Sequence, residues 1–269
     1  MRQVTSLLGA AVFIFVIALS STAFAAAVRQ HNQPNLPDLS DDSAGKTIFG
    51  SVTFMTDNRA QGFTSSQEDP AVEAELGVIW RSLFAGISVS SVDFGTTTFG
   101  GVTKEVADIS ISYYLGFIKA YRSMIFDIIA SYNTNPDAFD PAGELDYFEI
   151  SVGASRTLHK DLKGGVRVYY SPEFSGETGD NWVFEGSLEK PLPMIRHIKP
   201  ILTGVVGYQA GDESAGGFDY WFWNFGLGLE LSKNFSLDFR YHDTGDVPTA
   251  IACANLCDEA FVASLTFEF

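Results

Sequence analysis

Apolar and polar residues alternate along this chain from residue 47 to its last residue, and few folds accept such a pattern. The final segment, 259–269, follows the alternation strictly, and one of its two faces carries Phe261, Ala263, Leu265, Phe267 and Phe269. Successive side chains of a β-strand point to opposite faces, so this period of two predicts strands and not helices.

About twelve segments share the pattern, and most are close to the 9 to 11 residues that a tilted membrane strand requires. They predict an all-β fold, namely a single transmembrane antiparallel up-and-down β-barrel of about 12 strands. The predicted strands span 48–57, 71–80, 83–92, 106–115, 121–133, 147–156, 165–170, 182–189, 201–209, 221–231, 235–241 and 259–269.

Alternation alone does not define the inner face, because a soluble barrel or sandwich has the same period with its apolar face inward. Three patterns favour a membrane barrel. The polar faces carry Ser, Gly and isolated charges with almost no Lys, and aromatic residues gather at the ends of the apolar faces. The connections also alternate between short and long, as short periplasmic turns and long extracellular loops do.

The N-terminal residues predict export. Residues 1–25 combine a basic Arg2, a short apolar run and small residues before the predicted cleavage site near Ala25, which is the pattern of a secretory signal peptide. Residues 26–46 are rich in Pro, Asn, Asp and Ser and are interpreted as a flexible periplasmic lead-in. The predicted barrel then occupies 47–269.

No segment after the signal peptide is apolar enough for a membrane helix. A membrane protein of this sequence must therefore span as a closed barrel, which pairs every backbone group within the bilayer. This predicts a location in the outer membrane of a Gram-negative bacterium. The expected partners are outer-membrane lipid and lipopolysaccharide, the barrel-assembly machinery and small solutes.

The formal net charge of −16 argues against nucleic acid as a partner, because nucleic-acid-binding proteins need basic patches. The acidic residues must be solvated, line a lumen or hold divalent cations. The residues predicted to line the lumen are Glu73, Glu75, Asp108, Asp127, Glu149, Arg167, Glu185, Glu230, Asp238 and Arg240.

Acidic residues outnumber basic ones in this set, and an open lumen with that excess favours cations. The sequence thus predicts a porin-like channel for small solutes. Two alternatives remain: the same charges could form a packed network that plugs a structural or adhesive barrel, or the barrel could be a hydrolase. The hydrolase rests on His242 beside Asp243, with no nucleophile motif, so we predict no enzyme activity and no cofactor.

The only two cysteines, Cys253 and Cys257, lie close together in a long predicted external loop. In an exported chain this spacing predicts a local disulfide. The ring is small, so the disulfide is expected to contribute little to stability. A metal site would need more ligands than this loop offers.

The last strand, which ends on Phe269, resembles the closing strand of bacterial outer-membrane β-barrels. That resemblance implies that Phe267 and Phe269 are read by the insertion machinery. The chain also resembles the TorF-type family of porins over most of its mature length. The stretches that carry this resemblance are 56–64 (TDNRAQGFT), 69–71 (DPA), 91–94 (SVDF) and 253–258 (CANLCD).

The first of these stretches corresponds to the family's Ser-Asp-Tyr-Arg-Phe-Arg-Gly-like turn. Here Ala60 and Gln61 stand where the family has an aromatic residue and Arg, so no role is assigned to this turn. The resemblance implies a porin, in agreement with the strand pattern.

Overall fold

The computed structural model describes residues 47–139, 144–248 and 256–269. The predicted signal peptide and lead-in, residues 1–46, lie outside the described residues. Regular structure in the described residues consists of sixteen β-strands. Within these ranges there is no helix that is long and apolar enough to cross a membrane.

Twelve strands form one closed antiparallel barrel. They are β1 (Thr47–Met55), β4 (Ala71–Trp80), β5 (Leu83–Ser91), β8 (Ile109–Tyr121), β9 (Met124–Thr134), β10 (Tyr147–His159), β11 (Leu162–Ser171), β12 (Asn181–Pro191), β13 (Lys199–Gly211), β14 (Tyr220–Glu230), β15 (Phe235–Gly245) and β16 (Ala260–Glu268). Each barrel strand pairs with its neighbours in the chain, and β1 closes the barrel against β16. The predicted all-β up-and-down barrel of about 12 strands is confirmed.

The remaining four strands form two small hairpins inside the long connections. β2 (Arg59–Ala60) pairs with β3 (Phe63–Thr64), and β6 (Thr96–Phe99) pairs with β7 (Val102–Glu105). The first hairpin is buried, whereas the second projects from the molecule with every apolar residue exposed or half-buried. Neither hairpin was predicted from the sequence.

Short and long connections alternate around the barrel and define two rims. The short-turn rim carries the connections 81–82, 122–123, 160–161, 192–198 and 231–234. The long-loop rim carries the connections 56–70, 92–108, 135–146, 172–180, 212–219 and 246–259.

The position of β8 corrects the sequence prediction. The predicted strand 106–115 begins instead at Ile109, and the predicted turn at 116–119 continues as strand as far as Tyr121. Gly116 lies in this strand because the ring of Phe84 covers it: a Cβ there would meet the Phe84 Cζ at 2.2 Å. The turn falls at 122–123, where Arg122 adopts the left-handed φ of 55°.

The outer wall of the barrel is apolar and the inner wall is polar. Outward-facing Ile48 and Phe261 are 69% and 81% exposed, whereas inward-facing Ser51, Glu75 and Ser88 are buried. A soluble barrel has the reverse arrangement, since it packs its apolar face inside. An apolar belt around a polar interior is the surface of a barrel that spans a bilayer.

Candidate functional site

The lumen is the candidate functional site, because charged side chains converge there from around the barrel. The strand register places nine of the predicted lumen-lining residues on the inward face: Glu73, Glu75, Asp127, Glu149, Arg167, Glu185, Glu230, Asp238 and Arg240.

Asp108, the tenth predicted residue, is not on the lumen wall. It is exposed and precedes β8 on the long-loop rim, where its backbone N–H donates to Asp137 Oδ2 at 3.0 Å. The carbonyl of Asp108 accepts a hydrogen bond from the Val92 N–H at 2.9 Å. This segment therefore continues the loop that follows β5, and the inward alternation begins only at Ser110.

One side of the lumen forms an acidic wall, defined here as Glu73, Glu75 and Glu268 on β4 and β16. Ser51 on β1 pairs with Glu75 on one side and with Glu268 on the other, so these two carboxylates flank the same serine. Glu73 lies two residues from Glu75 and hence on the same face. The acidic wall thus brings three carboxylates from two strands to one side of the lumen.

Aromatic side chains pack over glycines next to the acidic wall, on the side of the short-turn rim. The Phe49 ring lies over Gly77, in the same manner in which Phe84 covers Gly116. Tyr114 packs against Phe84 with ring centroids 6.2 Å apart, and its hydroxyl donates to Glu75 Oε1 at 2.5 Å. The hydroxyl orients the Glu75 carboxylate, while the rings fill the space that the glycines leave.

The opposite side of the lumen contains compensated charges. Arg167 forms an ion pair with Asp127 and donates to Ser151 Oγ at 2.8 Å. Glu185, on the neighbouring strand, accepts a hydrogen bond from the Tyr169 hydroxyl at 2.8 Å.

Arg240 has a similar environment further toward the short-turn rim. Its Nε donates to Asp238 Oδ1 at 3.0 Å, and its two terminal nitrogens donate to Asn224 Oδ1 at 2.6 Å and to Thr203 Oγ1 at 2.8 Å. These bonds connect three strands across the inner wall.

Two lysine pairs complete this side of the lumen. Lys163 lies 3.2 Å from Glu189, and Lys199 lies 3.2 Å from Glu230. Neither lysine is among the predicted lumen-lining residues, because both precede the predicted strands, whereas β11 and β13 begin early enough to include them. The Lys163 and Glu230 side chains are 32% and 34% exposed, so this half of the lumen is open to water.

The lumen half nearer the long-loop rim is filled instead by an aromatic cluster. Strands β10, β11, β12 and β14 supply half of its members, and long connections supply the other half. Its buried members are Phe63, Tyr147, Tyr169, Phe174, Val183, Phe218, Tyr220, Phe222, Leu256 and Cys257.

A segment that we call the mouth hairpin, residues 57–66, closes this end of the barrel. All ten of its residues are buried, although they belong to a connection between strands. Gln61 and Gly62 form its tip with φ of 51° and 88°, the positive values of a tight two-residue hairpin turn. A Cβ on Gly62 would meet Thr244 Cγ2 at 2.3 Å and Phe222 Cβ at 3.3 Å, so the tip touches the inner wall formed by β14 and β15.

Arg59 secures the mouth hairpin. Its Nε donates to Asp57 Oδ2 at 2.5 Å, and one terminal nitrogen donates to the carbonyls of Gly62 at 3.1 Å and Asp258 at 2.6 Å. The other terminal nitrogen lies 3.0 Å from Glu68 Oε1. The Arg59 side chain is 0% exposed, so the hairpin, the loop 246–259 and a buried charge are joined in one network.

Further contacts attach the mouth hairpin to its surroundings. Asp57 Oδ1 also accepts hydrogen bonds from Thr64 and Ser66. The Thr64 N–H donates to the Leu256 carbonyl at 2.9 Å. Phe63 packs edge-on against Tyr220 with ring centroids 5.1 Å apart. The mouth hairpin, for whose turn no role was predicted from the sequence, is thus the segment that closes the lumen.

In the mouth hairpin and on the barrel strands, several buried polar atoms have no hydrogen-bond partner within the described residues. They are Asn58 Nδ2, Ser110 Oγ, Asn133 Oδ1 and Nδ2, Asn181 Oδ1 and His242 Nδ1. Native proteins leave few buried polar groups without a partner, and ordered water supplies one where the protein does not.

The pair on which the hydrolase alternative rests is not assembled. His242 is buried in the lumen, whereas the adjacent Asp243 points outward, where its carboxylate accepts from the Tyr241 hydroxyl at 3.0 Å. Neighbouring residues of a strand face opposite sides, so the carboxylate cannot orient the imidazole. Cys257 is disulfide-bonded, and its predicted partner Cys253 lies outside the described residues.

Phe267 and Phe269, the predicted assembly signal, lie at the short-turn rim on the outer face. The Phe269 backbone exchanges two hydrogen bonds of 3.0 Å with Gly50, and its ring lies over that glycine. Phe267 packs against Phe235 with ring centroids 5.0 Å apart.

The long-loop rim is strongly acidic. One example is Glu105 on β7, whose pKa is raised by the nearby charge of Asp108 and by its hydrogen bond with that residue, with a smaller effect from Asp93. The raised pKa reports repulsion among closely spaced carboxylates. Lys104 is the one exposed basic residue at this rim within the described residues.

Fold and lumen together define a membrane β-barrel with a partly closed interior. Within that class, the chain belongs to the family described as "Bacterial protein of unknown function (Gcw_chp)", which its residues 40–269 match. This match does not confirm the finer resemblance to TorF-type porins. No curated protein matches the chain.

Solved porin structures share the fold. The KdgM porin in complex with disordered oligogalacturonate is 8% identical, with 83% of this chain and 99% of that chain covered, and the TM-score is 0.53. A second structure of the KdgM porin has the same identity and coverage with a TM-score of 0.50. The NanC porin is 11% identical over 82% of this chain and 98% of that chain, with a TM-score of 0.43. At such identities the likeness concerns the fold alone.

Proposed function

We propose that this protein is an outer-membrane channel of the porin kind, which passes small solutes and prefers cations when its mouth hairpin leaves the lumen. The porin likeness in fold and the apolar outer belt support the membrane location. The observation that carries the proposal is that the lumen is open to water toward the short-turn rim and is closed at its other end by one loop segment, the mouth hairpin.

Each buried polar group without a partner costs about 1–3 kcal/mol. Where water is excluded, Asn58, Ser110 and Asn133 oppose the closed arrangement, whereas the Arg59 network and the Phe63 ring favour it. Displacement of the hairpin would let water reach these groups and join the wet half of the lumen to the outside. A barrel whose interior is permanently plugged would pack better with apolar side chains in place of these polar groups.

The preference for cations rests on the acidic wall. Arg167, Arg240, Lys163 and Lys199 each have a carboxylate partner, so they cancel locally. Glu73, Glu75 and Glu268 place three further carboxylates on the inner wall, on β4 and β16. At a Debye length of about 8 Å in physiological salt, fixed charges act across a narrow lumen before they are screened.

Conductance in planar bilayers tests the proposal. The wild-type barrel is expected to open intermittently, and Arg59→Ala should open for a larger fraction of the time, because loss of one partner from a buried ion pair costs about 3–5 kcal/mol. Lys104→Ala removes a basic residue from the same rim without touching the hairpin and should leave the conductance unchanged.

Reversal potentials in a salt gradient test the selectivity. The triple variant Glu73→Gln, Glu75→Gln, Glu268→Gln should lower the cation-to-anion permeability ratio severalfold. The matched control neutralises Glu105, Glu177 and Glu213, which are exposed on the long loops, and should change the ratio little. An anion-selective wild type would contradict the role given to the acidic wall.

A plugged structural barrel is the second candidate, and the aromatic cluster favours it. Phe63, Tyr220 and Phe222 are all buried within the lumen and pack as a protein core does. Absence of conductance in both the wild type and Arg59→Ala would establish this alternative.

A further inference from the structure

Basic residues are concentrated at one end of the barrel. Every connection of the short-turn rim contains one, and the only acidic residue in these connections is Asp161. The five basic residues, one from each turn, are Arg81, Arg122, Lys160, Arg196 and Lys233. In a chain with a net charge of −16, the basic residues of the turns are thus gathered at one end of the barrel axis.

Four of these residues occupy backbone positions that suit other residue types. Arg81, Arg122, Lys160 and Arg196 have φ of 57°, 55°, 49° and 60°. Gly and Asn adopt this left-handed region readily, whereas other residues are disfavoured there by about 1 kcal/mol or more. Turn formation therefore does not explain the basic side chains.

The side chains are directed to the outside of the barrel where contacts define them. The Arg81 guanidinium lies over the Trp80 ring at 5.4 Å, and the Arg122 guanidinium lies over the Tyr121 ring at 5.3 Å. Trp80 and Tyr121 face outward and are exposed. Aromatic residues in such a position lie at the level of the lipid headgroups, so the stacked guanidinium groups do too.

Outward-facing strand residues near the same rim extend the basic surface: Lys119, Arg156 and Lys190. The single acidic residue of the turns compensates little of this charge. Asp161 lies 3.9 Å from Lys190, and both side chains are more than a third exposed, so their ion pair is weak.

We propose that the short-turn rim is a binding surface for phospholipid headgroups, in which these basic residues bind phosphate and thereby select anionic lipids. Guanidinium groups match phosphate oxygens in geometry. The basic residues lie on all five turns of the rim at the edge of the apolar belt, which fits a continuous lipid surface better than one docked protein. The inference requires that the barrel spans a bilayer but not that its lumen conducts.

Native mass spectrometry of the detergent-solubilised barrel, titrated with phosphatidylglycerol or phosphatidylcholine, tests the inference. The wild type should bind phosphatidylglycerol more tightly. The fourfold variant Arg81→Asn, Arg122→Asn, Lys160→Asn, Arg196→Asn should lose this preference, by about fivefold per charge removed. Asn suits the left-handed turns, so the variant should keep its heat-modifiable migration on gels.

A single-charge comparison provides the control: Arg122→Asn should weaken phosphatidylglycerol binding, whereas Lys104→Asn on the opposite rim should not. Equal affinity of the wild type for the two lipids, or full retention of the preference in the folded fourfold variant, would overturn the inference. Displacement of the lipid by millimolar inorganic phosphate would assign the rim to a soluble anion and would overturn it as well.

Discussion

Single residues in this barrel are constrained by their cross-strand neighbours. Gly77 and Gly116 lie under the rings of Phe49 and Phe84, and the residue identity at each glycine is set by a ring on another strand. The rings cover the backbone of these glycines, which would otherwise be exposed on the inner face. The sequence shows a glycine in a strand but not which ring covers it.

Gly77→Ala tests this packing at the residue scale. Its new Cβ would meet Phe49 Cζ at 2.2 Å, so the ring must move, and overpacking of this kind costs about 1–3 kcal/mol. Gly228→Ala is the matched control, because its Cβ would approach no atom closer than 3.6 Å. Urea unfolding should show a loss of stability for Gly77→Ala alone, and equal midpoints for the two variants would contradict the account.

Strand β16 is the element through which the barrel closes. Replacement of Phe267 and Phe269 by Asp should block insertion into the outer membrane, because each carboxylate on the outer face would enter lipid at a cost of about 1–3 kcal/mol, depending on depth. The membrane-inserted fraction after expression measures this effect. Two Asp substitutions at the exposed Phe99 and Val102 of the β6–β7 hairpin serve as the control, and a normal yield of the β16 variant would exclude an assembly role for the strand.

The strands themselves could be predicted because alternation is a local property. β4 was predicted with its observed bounds, and all twelve barrel strands have a predicted counterpart. The errors lie at the ends: β8 was displaced at both ends because Asp108 continued the alternating pattern by chance and Gly116 imitated a turn residue.

The mouth hairpin could not be predicted, because its position depends on distant partners. Arg59 contacts the carbonyl of Asp258, which is 199 residues away, and Phe63 contacts Tyr220. Locally the segment has the polar composition of an exposed turn. Two local features do indicate a hairpin: the pairing of Asp57 with Arg59, and a Gly-containing turn between the two short strands.

The whole molecule has opposite charges at its two ends. Carboxylates dominate the long-loop rim and basic residues dominate the short-turn rim, while the apolar belt lies between them. The inward position of most lumen charges could be predicted from the alternation along each strand. The separation of acidic and basic residues between the two rims becomes visible only when each turn and loop is assigned to its rim.

A closed barrel of this kind should migrate on gels in a heat-dependent manner. The purified mature chain, refolded in detergent, is expected to run as a compact form that shifts after boiling, because twelve strands joined in a ring resist detergent until they are heated. Circular dichroism should show β-structure, and a mainly helical spectrum would refute the fold.

The pairing of β1 with β16 also determines when the barrel can be completed during biosynthesis. This seam has five register pairs, and it joins hydroxyls of Thr53 and Thr266 that are 3.0 Å apart in space but 213 residues apart in the chain. Closing a loop of that length from a free chain costs about 5 kcal/mol in entropy, and the last strand is also the last to be synthesised. Until β16 is delivered and pairs with β1, each strand that has already formed at this seam has an unpaired edge that can pair with another chain.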